Sequence, residues 1–176
     1  GEFTQYNMSS ADLMKIETIC RKYLNKFWGD LVVRLGNYVK GDGEIPAGTD
    51  PFIVSTIITA GDKPIKIQSG HQYGGDATEY TRLILVAPNA LQTTSNELVE
   101  AGNGTLMYAG NIDGGHAATD PLPLFGAITR QQMGANFILP PYYSIGFYAT
   151  TANTAAYYAT LNGFECEYWW FNTSKA

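Results

Sequence analysis

EYTRLILVA, residues 79–87, is the stretch that decides the fold. Tyr80, Arg82, Ile84 and Val86 fall to one side of an extended chain, and Thr81, Leu83 and Leu85 to the other. A period of two, rich in β-branched and aromatic residues, specifies a strand and excludes a helical stripe. The same pattern recurs outward in both directions: PFIVSTIIT (51–59), PIKIQ (64–68), TLMYA (105–109), NFIL (136–139), SIGFYAT (144–150), TAAYYATL (154–161) and GFECEYWWF (163–171). Ala152-Asn153 and Asn162-Gly163 are turn signals between the last segments. The second is a hairpin signal, so the last three strands are expected to form an antiparallel meander. Gly41-Asp42-Gly43-Glu44 reads as a turn and linker. About nine short strands with no helical period after residue 36 predict a mainly β fold, an antiparallel, jelly-roll-like β-sandwich.

Before residue 36 the period changes. Ser9 and Asp12 form a helix start, and Leu13, Ile16, Cys20, Tyr23 and Phe27 follow a three-four spacing that places them on one stripe. A helix over about 10–28, ending near Gly29, follows from that spacing; Leu31–Leu35 either extends it by a turn or opens the first strand. The stripe has three uses: packing on the chain's own β body, bundling around an oligomer axis, or lying on a membrane surface. Leu13, Ile16, Tyr23 and Phe27 are the candidate oligomer or docking seam. The chain thus divides into residues 1–7, which open on a Gly1-Glu2-Phe3 cloning or cleavage scar; an arm over 8–40, with Met8 a candidate native start; and a β-sandwich over 41–176.

The 176-residue chain is 45% hydrophobic but only 15% charged, against roughly 25% charged in an ordinary domain. Such a surface is built of Thr, Asn, Gln and Ser, or is hidden against copies of the chain. Net charge is −5, with +2 on residues 1–40 and −7 on the rest. A basic arm on an acidic body suits an acidic docking surface or a solvated helix face. No basic patch with interleaved aromatics points to nucleic acid, and no run approaches the roughly 18 apolar residues of a membrane span. Cys20 and Cys166 are too far apart in sequence to read as a disulfide framework and are expected as free, largely buried thiols.

The candidates for chemistry sit in two Gly-, Asp- and Thr-rich gaps, 69–78 and 109–122, read as loops at the ends of the sandwich, where binding generally resides. His71 with Asp76, and His116 with Asp113 and Asp120, hold metal-ligand or acid-base side chains without a diagnostic spacing. Asp113, Asp120 and loop carbonyls are hard oxygen donors suited to calcium. Glu165 and Glu167 fall on one face of the last strand, about 7 Å apart, within the range of a glycosidase pair but equally a solvent or intersubunit face. No nucleophile elbow, phosphate-binding loop or HExxH is present. Aromatics crowd the C-terminal third, and alternation sends only half of them to one core. The rest, with Tyr142, Tyr143, Trp169 and Trp170 as candidates, must be covered by another subunit, the helix or a ligand such as sugar.

Three segments carry a resemblance. Ile45-Pro46-Ala47-Gly48-Thr49 before an apolar strand, Leu139-Pro140-Pro141 leading to Ser144-Ile145-Gly146-Phe147-Tyr148-Ala149, and Leu161-Asn162-Gly163-Phe164-Glu165 resemble small jelly-roll structural proteins of tailed bacteriophage virions. The resemblance covers about residues 45–168 and rests on turn chemistry. It implies a non-enzymatic virion part of the decoration, spike or tail-component type, often trimeric, with phage capsid or tail proteins as partners and no catalytic set. The N-terminal helix lies outside it. A carbohydrate- or receptor-binding module contacting a host surface glycan is the alternative; an extracellular trimer of the complement-globular or tumour-necrosis-factor style and a hydrolase rank below it.

Overall fold

The computed structural model describes residues 9–33, 35–90, 94–107, 110–124 and 137–167. By their contacts they divide into two units: residues 36–166, and residues 1–35 with 167–176.

In the smaller unit, α1 spans Ser10–Val33. Its start is as expected: Asp12 N–H donates to Ser9 Oγ at 3.2 Å, and Ser9 Oγ–H donates to the Asp12 carboxylate at 2.7 Å. The helix passes through Gly29 and takes in Val32 and Val33 rather than stopping at 28. One glycine costs a helix only about 1 kcal/mol, too little to end it where the following turn can still form.

The larger unit is a mainly β sandwich of two antiparallel sheets. Its strands are β1 (Leu35–Ile45), β2 (Ser55–Thr59), β3 (Ile65–Gly74), β4 (Tyr80–Val86), β5 (Gly104–Leu106), β6 (Ile112–Asp113), β7 (Leu122–Pro123), β8 (Phe137–Leu139), β9 (Ser144–Ala149) and β10 (Tyr157–Cys166). Sheet 1 runs β1-β10-β3-β7, with β8 also on β3; sheet 2 runs β2-β9-β4-β5, with β6 also on β4. The first four strands alternate between the sheets, and the two returning strands insert among them, β10 between β1 and β3 and β9 between β2 and β4. With β7/β8 and β5/β6 each sharing one position, this is the eight-position jelly-roll order.

Alternation holds where it was clearest. Thr81 and Leu83 point into the sandwich at 0% exposure, beside Ile45, Ile57, Ile65, Ile67, Leu139, Ile145, Phe147, Tyr157 and Leu161. Ile84 and Val86 face outward yet are buried, because Leu98 of a short helix, α2 (Ser95–Glu100), and Tyr148 cover them in a second apolar cluster. That helix contradicts the expectation of no helix after residue 36. Its signal was in the sequence: Thr94 and Glu97 make a reciprocal capping box.

Four other expectations are corrected. Residues 41–44 are not a turn but the interior of β1. A side chain at Gly41 would meet the backbone of Ile57 and Ile58, and one at Gly43 the Thr56 carbonyl. These glycines let the edge strand of sheet 1 close onto that of sheet 2; the strand therefore crosses the boundary drawn at 40/41. Residues 69–74 are not loop but the second half of β3, so His71 lies in a strand. Asn162-Gly163 makes no hairpin. It is a bulge within β10, where a side chain at Gly163 would strike the Lys66 carbonyl. The closing meander does not form either, since β9 and β10 lie in different sheets.

One polar contact crosses the core. Thr81 Oγ1 of β4 donates to Gln72 Oε1 of β3 at 2.6 Å, with Gln72 1% exposed. Thr81→Val keeps the shape and leaves a buried acceptor unpaired, an expected loss of about 1–3 kcal/mol. Chemical denaturation checks this, and Thr81→Val with Gln72→Leu should cost less than the two single changes added.

Candidate functional site

Two ends of the sandwich differ in kind. One gathers the starts of β4 and β10 and the ends of β1, β3 and β9. Here buried polar side chains tie loops together. Glu79, 5% exposed, accepts from Thr154 N–H at 2.6 Å through one carboxylate oxygen and from Asp76 N–H at 3.0 Å through the other. Asn153, 2% exposed, donates to the carbonyls of Pro46 at 2.9 Å and Ala155 at 2.8 Å. Between these loops lies the hydroxyl of Tyr157, fully buried and without a hydrogen-bond partner among the described residues. Burial first, then the Glu79 and Asp76 carboxylates, pushes this phenol well above its ordinary range, so it stays protonated.

The histidines and aspartates read as metal candidates are dispersed around this end. His71 faces outward in β3 opposite Thr160. His116 pairs with Gly74 through the backbone. Asp113 lies in β6 opposite Tyr80, and Asp120 closes a turn on Ala117. Among the described residues no three His, Cys, Asp or Glu side chains converge. Glu165 is half-buried with Lys63 Nζ 3.9 Å away, while Glu167 is exposed beyond the strand.

The opposite end carries a cleft of about 530 Å³ on the outer face of sheet 2, within the usual range for small-molecule sites. Val54, Val86 and Leu98, all buried, make an apolar floor. Thr56, Thr59 and Ser144 bring hydroxyls, with Thr59 Oγ1 and Ser144 Oγ hydrogen-bonded at 2.8 Å. Asn89 and Tyr142, both exposed, form the rim. No acidic or basic residue lines it.

The two rim residues share a backbone device. Ala87-Pro88-Asn89-Ala90 and Pro140-Pro141-Tyr142-Tyr143 are each closed by a hydrogen bond from the fourth N–H to the first carbonyl, with proline second. The third residue has positive φ, 61° at Asn89 and 65° at Tyr142. Such turns take glycine or asparagine there; elsewhere in this chain the equivalent position is Gly48, φ 76°. A tyrosine costs about 1–2 kcal/mol in this region. Phe52, φ 68°, offsets a similar strain by packing its ring on Tyr148 and the second apolar cluster. Tyr142 as a whole residue is 58% exposed and offsets far less.

The sequence-predicted aromatics therefore part company. Tyr142 rims the cleft, while Tyr143 is half-buried against the main core and accepts from Ala60 N–H through its carbonyl. Trp169 and Trp170 lie outside the described residues. On the outer face of sheet 1, Tyr158 stacks on Tyr73 at 5.0 Å and Tyr38 meets Phe164 edge-on at 5.6 Å. On α1, Leu13 and Ile16 are 53% and 40% exposed, and Met14 and Ile19 are exposed with them; the side chains of Tyr23 and Phe27 lie outside the described set. Cys20 is exposed, against expectation, because this stretch of helix has solvent around it in the single chain. Cys166 is buried and its thiol is pushed up by that burial. Sequence reading missed Asn89 and the cleft hydroxyls; the Pro-Asn pair at 88–89 was the available signal.

No family model matches this chain, and no curated protein matches it. Among solved structures it is similar to a chain of the capsid asymmetric unit of cyanophage Pam1, at 9% identity and a TM-score of 0.35, over 76% of this chain and 87% of that chain. A likeness of this size carries no argument about activity or assembly.

The buried phenol gives a pH-dependent expectation. At neutral pH Tyr157→Phe removes only an unpaired hydroxyl and should change stability by less than about 1 kcal/mol. Above the ordinary phenol value of about 10, an unfolded chain loses a proton that the folded one keeps, so wild-type stability falls as pH rises. Denaturation series at pH 9 to 11 should show a shallower decline for Tyr157→Phe, amounting to about 1.4 kcal/mol across that whole window; parallel declines would contradict this account of the phenol.

Proposed function

We propose that this chain is a non-enzymatic structural component of a bacteriophage particle, a capsid decoration, spike or tail part. In this reading α1 joins copies of the chain, as a homotrimer, or docks them on capsid or tail proteins, and the jelly-roll body is displayed. The observation that supports it is the exposure of large apolar side chains on α1. Leu13, Met14, Ile16 and Ile19 are exposed on one helix, whereas the main core is filled entirely by residues of the larger unit. Several large apolar side chains exposed together on one helix mark an interaction surface. No described helix is long and apolar enough to cross a membrane. Recognition of a host surface glycan by the body is the second reading, favoured by the uncharged cleft rimmed by Tyr142.

Sedimentation of the full chain should give a species of three times the 19.2 kDa chain mass, and a chain lacking residues 1–34 should sediment as a folded, smaller species. Thiol alkylation reports the same event. Cys20 should react fast in dilute protein and slowly at assembling concentrations, while Cys166 stays unreactive until unfolding. In virus particles purified on a density gradient, the chain should band with the capsid at fixed stoichiometry. A compact full-length monomer with Cys20 reactive at every concentration, or absence from the particle band, overturns the reading.

A further inference from the structure

We infer that the cleft on the outer face of sheet 2 binds a neutral saccharide, with Tyr142 as its stacking platform and Asn89 as its opposing hydrogen-bonding lip. The inference deepens the glycan reading of the body and is independent of the helix. A sugar ring is amphiphilic in a particular way: one face presents C–H groups, the edges present hydroxyls, and a neutral sugar carries no charge. The cleft has the matching inventory. Tyr142 offers an exposed ring for the C–H face. Val86 and Leu98 close the floor with apolar side chains that compete for none of the ligand's hydroxyls. The Asn89 amide supplies both donor and acceptor, and the paired hydroxyls of Thr59 and Ser144 can each take up one more partner. A phosphorylated, sulfated or sialylated ligand would find no cation among the lining residues, and a wholly apolar one would leave the hydroxyls stranded.

The backbone supplies the second line of argument. The chain holds a tyrosine where this turn takes glycine or asparagine, and it does so on the rim of the cleft with the ring in solvent. The Tyr142 N–H donates to the Gly61 carbonyl at 3.0 Å, a bond that glycine or asparagine would make equally, and the mostly exposed side chain returns little of that strain. Strain without a folding return is characteristic of residues kept for what they contact.

Tyr142→Gly separates the two roles, because glycine suits the turn while deleting the ring. The full-length chain is applied to an array of neutral hexose and N-acetylhexosamine oligomers alongside sialylated and sulfated glycans, and the strongest neutral binder is titrated by calorimetry. The inference expects binding confined to neutral glycans. It also expects at least about a tenfold loss for Tyr142→Gly, equivalent to about 1.4 kcal/mol, with a melting temperature no lower than wild type, and near-wild-type binding for Tyr142→Phe. No neutral binder at millimolar concentration, binding only to acidic glycans, or undiminished binding by Tyr142→Gly each overturns it. A sedimentation change in Tyr142→Gly without any glycan binding would identify the cleft as a contact between copies and also overturn it. None of these results alters the sedimentation and particle-banding outcomes for the helix, so this site and the structural role fail separately.

Discussion

The body depends on one insertion: β10, the last strand, lies between β1, the first, and β3. Sheet 1 is incomplete until the chain has run its whole length and returned, so its central hydrogen bonds close over about the longest sequence separation the body allows. Such pairing incurs loop-closure entropy before any contact repays it, which makes the fold slow to form and cooperative once formed. Several local features follow from the insertion. The bulge at Asn162/Gly163 keeps β10 in register with β3 past the point where the Lys66 backbone comes closest. Tyr157 and Leu161, both fully buried, place the middle of the core on this strand. Gly41 and Gly43 bring β1 down on β2 along the open edge.

The two ends then take different roles. Where β10 enters, Glu79 and Asn153 fasten three loops through backbone hydrogen bonds. The Glu79 carboxylate and the Asn153 amide N–H groups have backbone partners, while Asn153 Oδ1 is buried without one among the described residues; such groups fix geometry more than they add stability. At the far end the loops are held by proline turns and by α2, and there the chain leaves a cleft and an exposed ring. Rigidity concentrated at one end and concavity at the other is the division expected of a scaffold that presents a surface.

The sequence disclosed the fold wherever one local rule acted alone. Alternation in 79–87 and 144–149 fixed strands and facing, because each side chain answers only to the pleat. The Ser9 cap was legible because capping is a four-residue matter. What failed was glycine. At 41–44 and 162–163 the same residue that usually breaks a strand instead permits a neighbouring backbone to come close, and that neighbour is over ten residues away or on the far side of the chain. Turn propensity cannot distinguish the two uses. The cleft was half legible: Tyr142 stood out as an aromatic needing cover, but Thr59, Asn89 and Ser144 meet it only through the pairing of β2 with β9 and of β9 with β4.

The helix obeys a different balance from the body. It has a capped start but carries Gly29, Val32 and Val33 near its end, residues that lower helix stability in water. Helices in isolation draw little net stability from their own hydrogen bonds and most of it from burying an apolar face. Here the described large apolar side chains of the helix, Leu13, Met14, Ile16 and Ile19, are exposed. Burial of each large side chain is worth about 1.5–3 kcal/mol, so covering the stripe supplies what the helix lacks. In the proposed assembly, ordering of the helix and association of copies are therefore one coupled step. The body has no such dependence, since its core is complete within residues 36–166. In that proposed assembly the body folds first and the arm orders only on a partner surface.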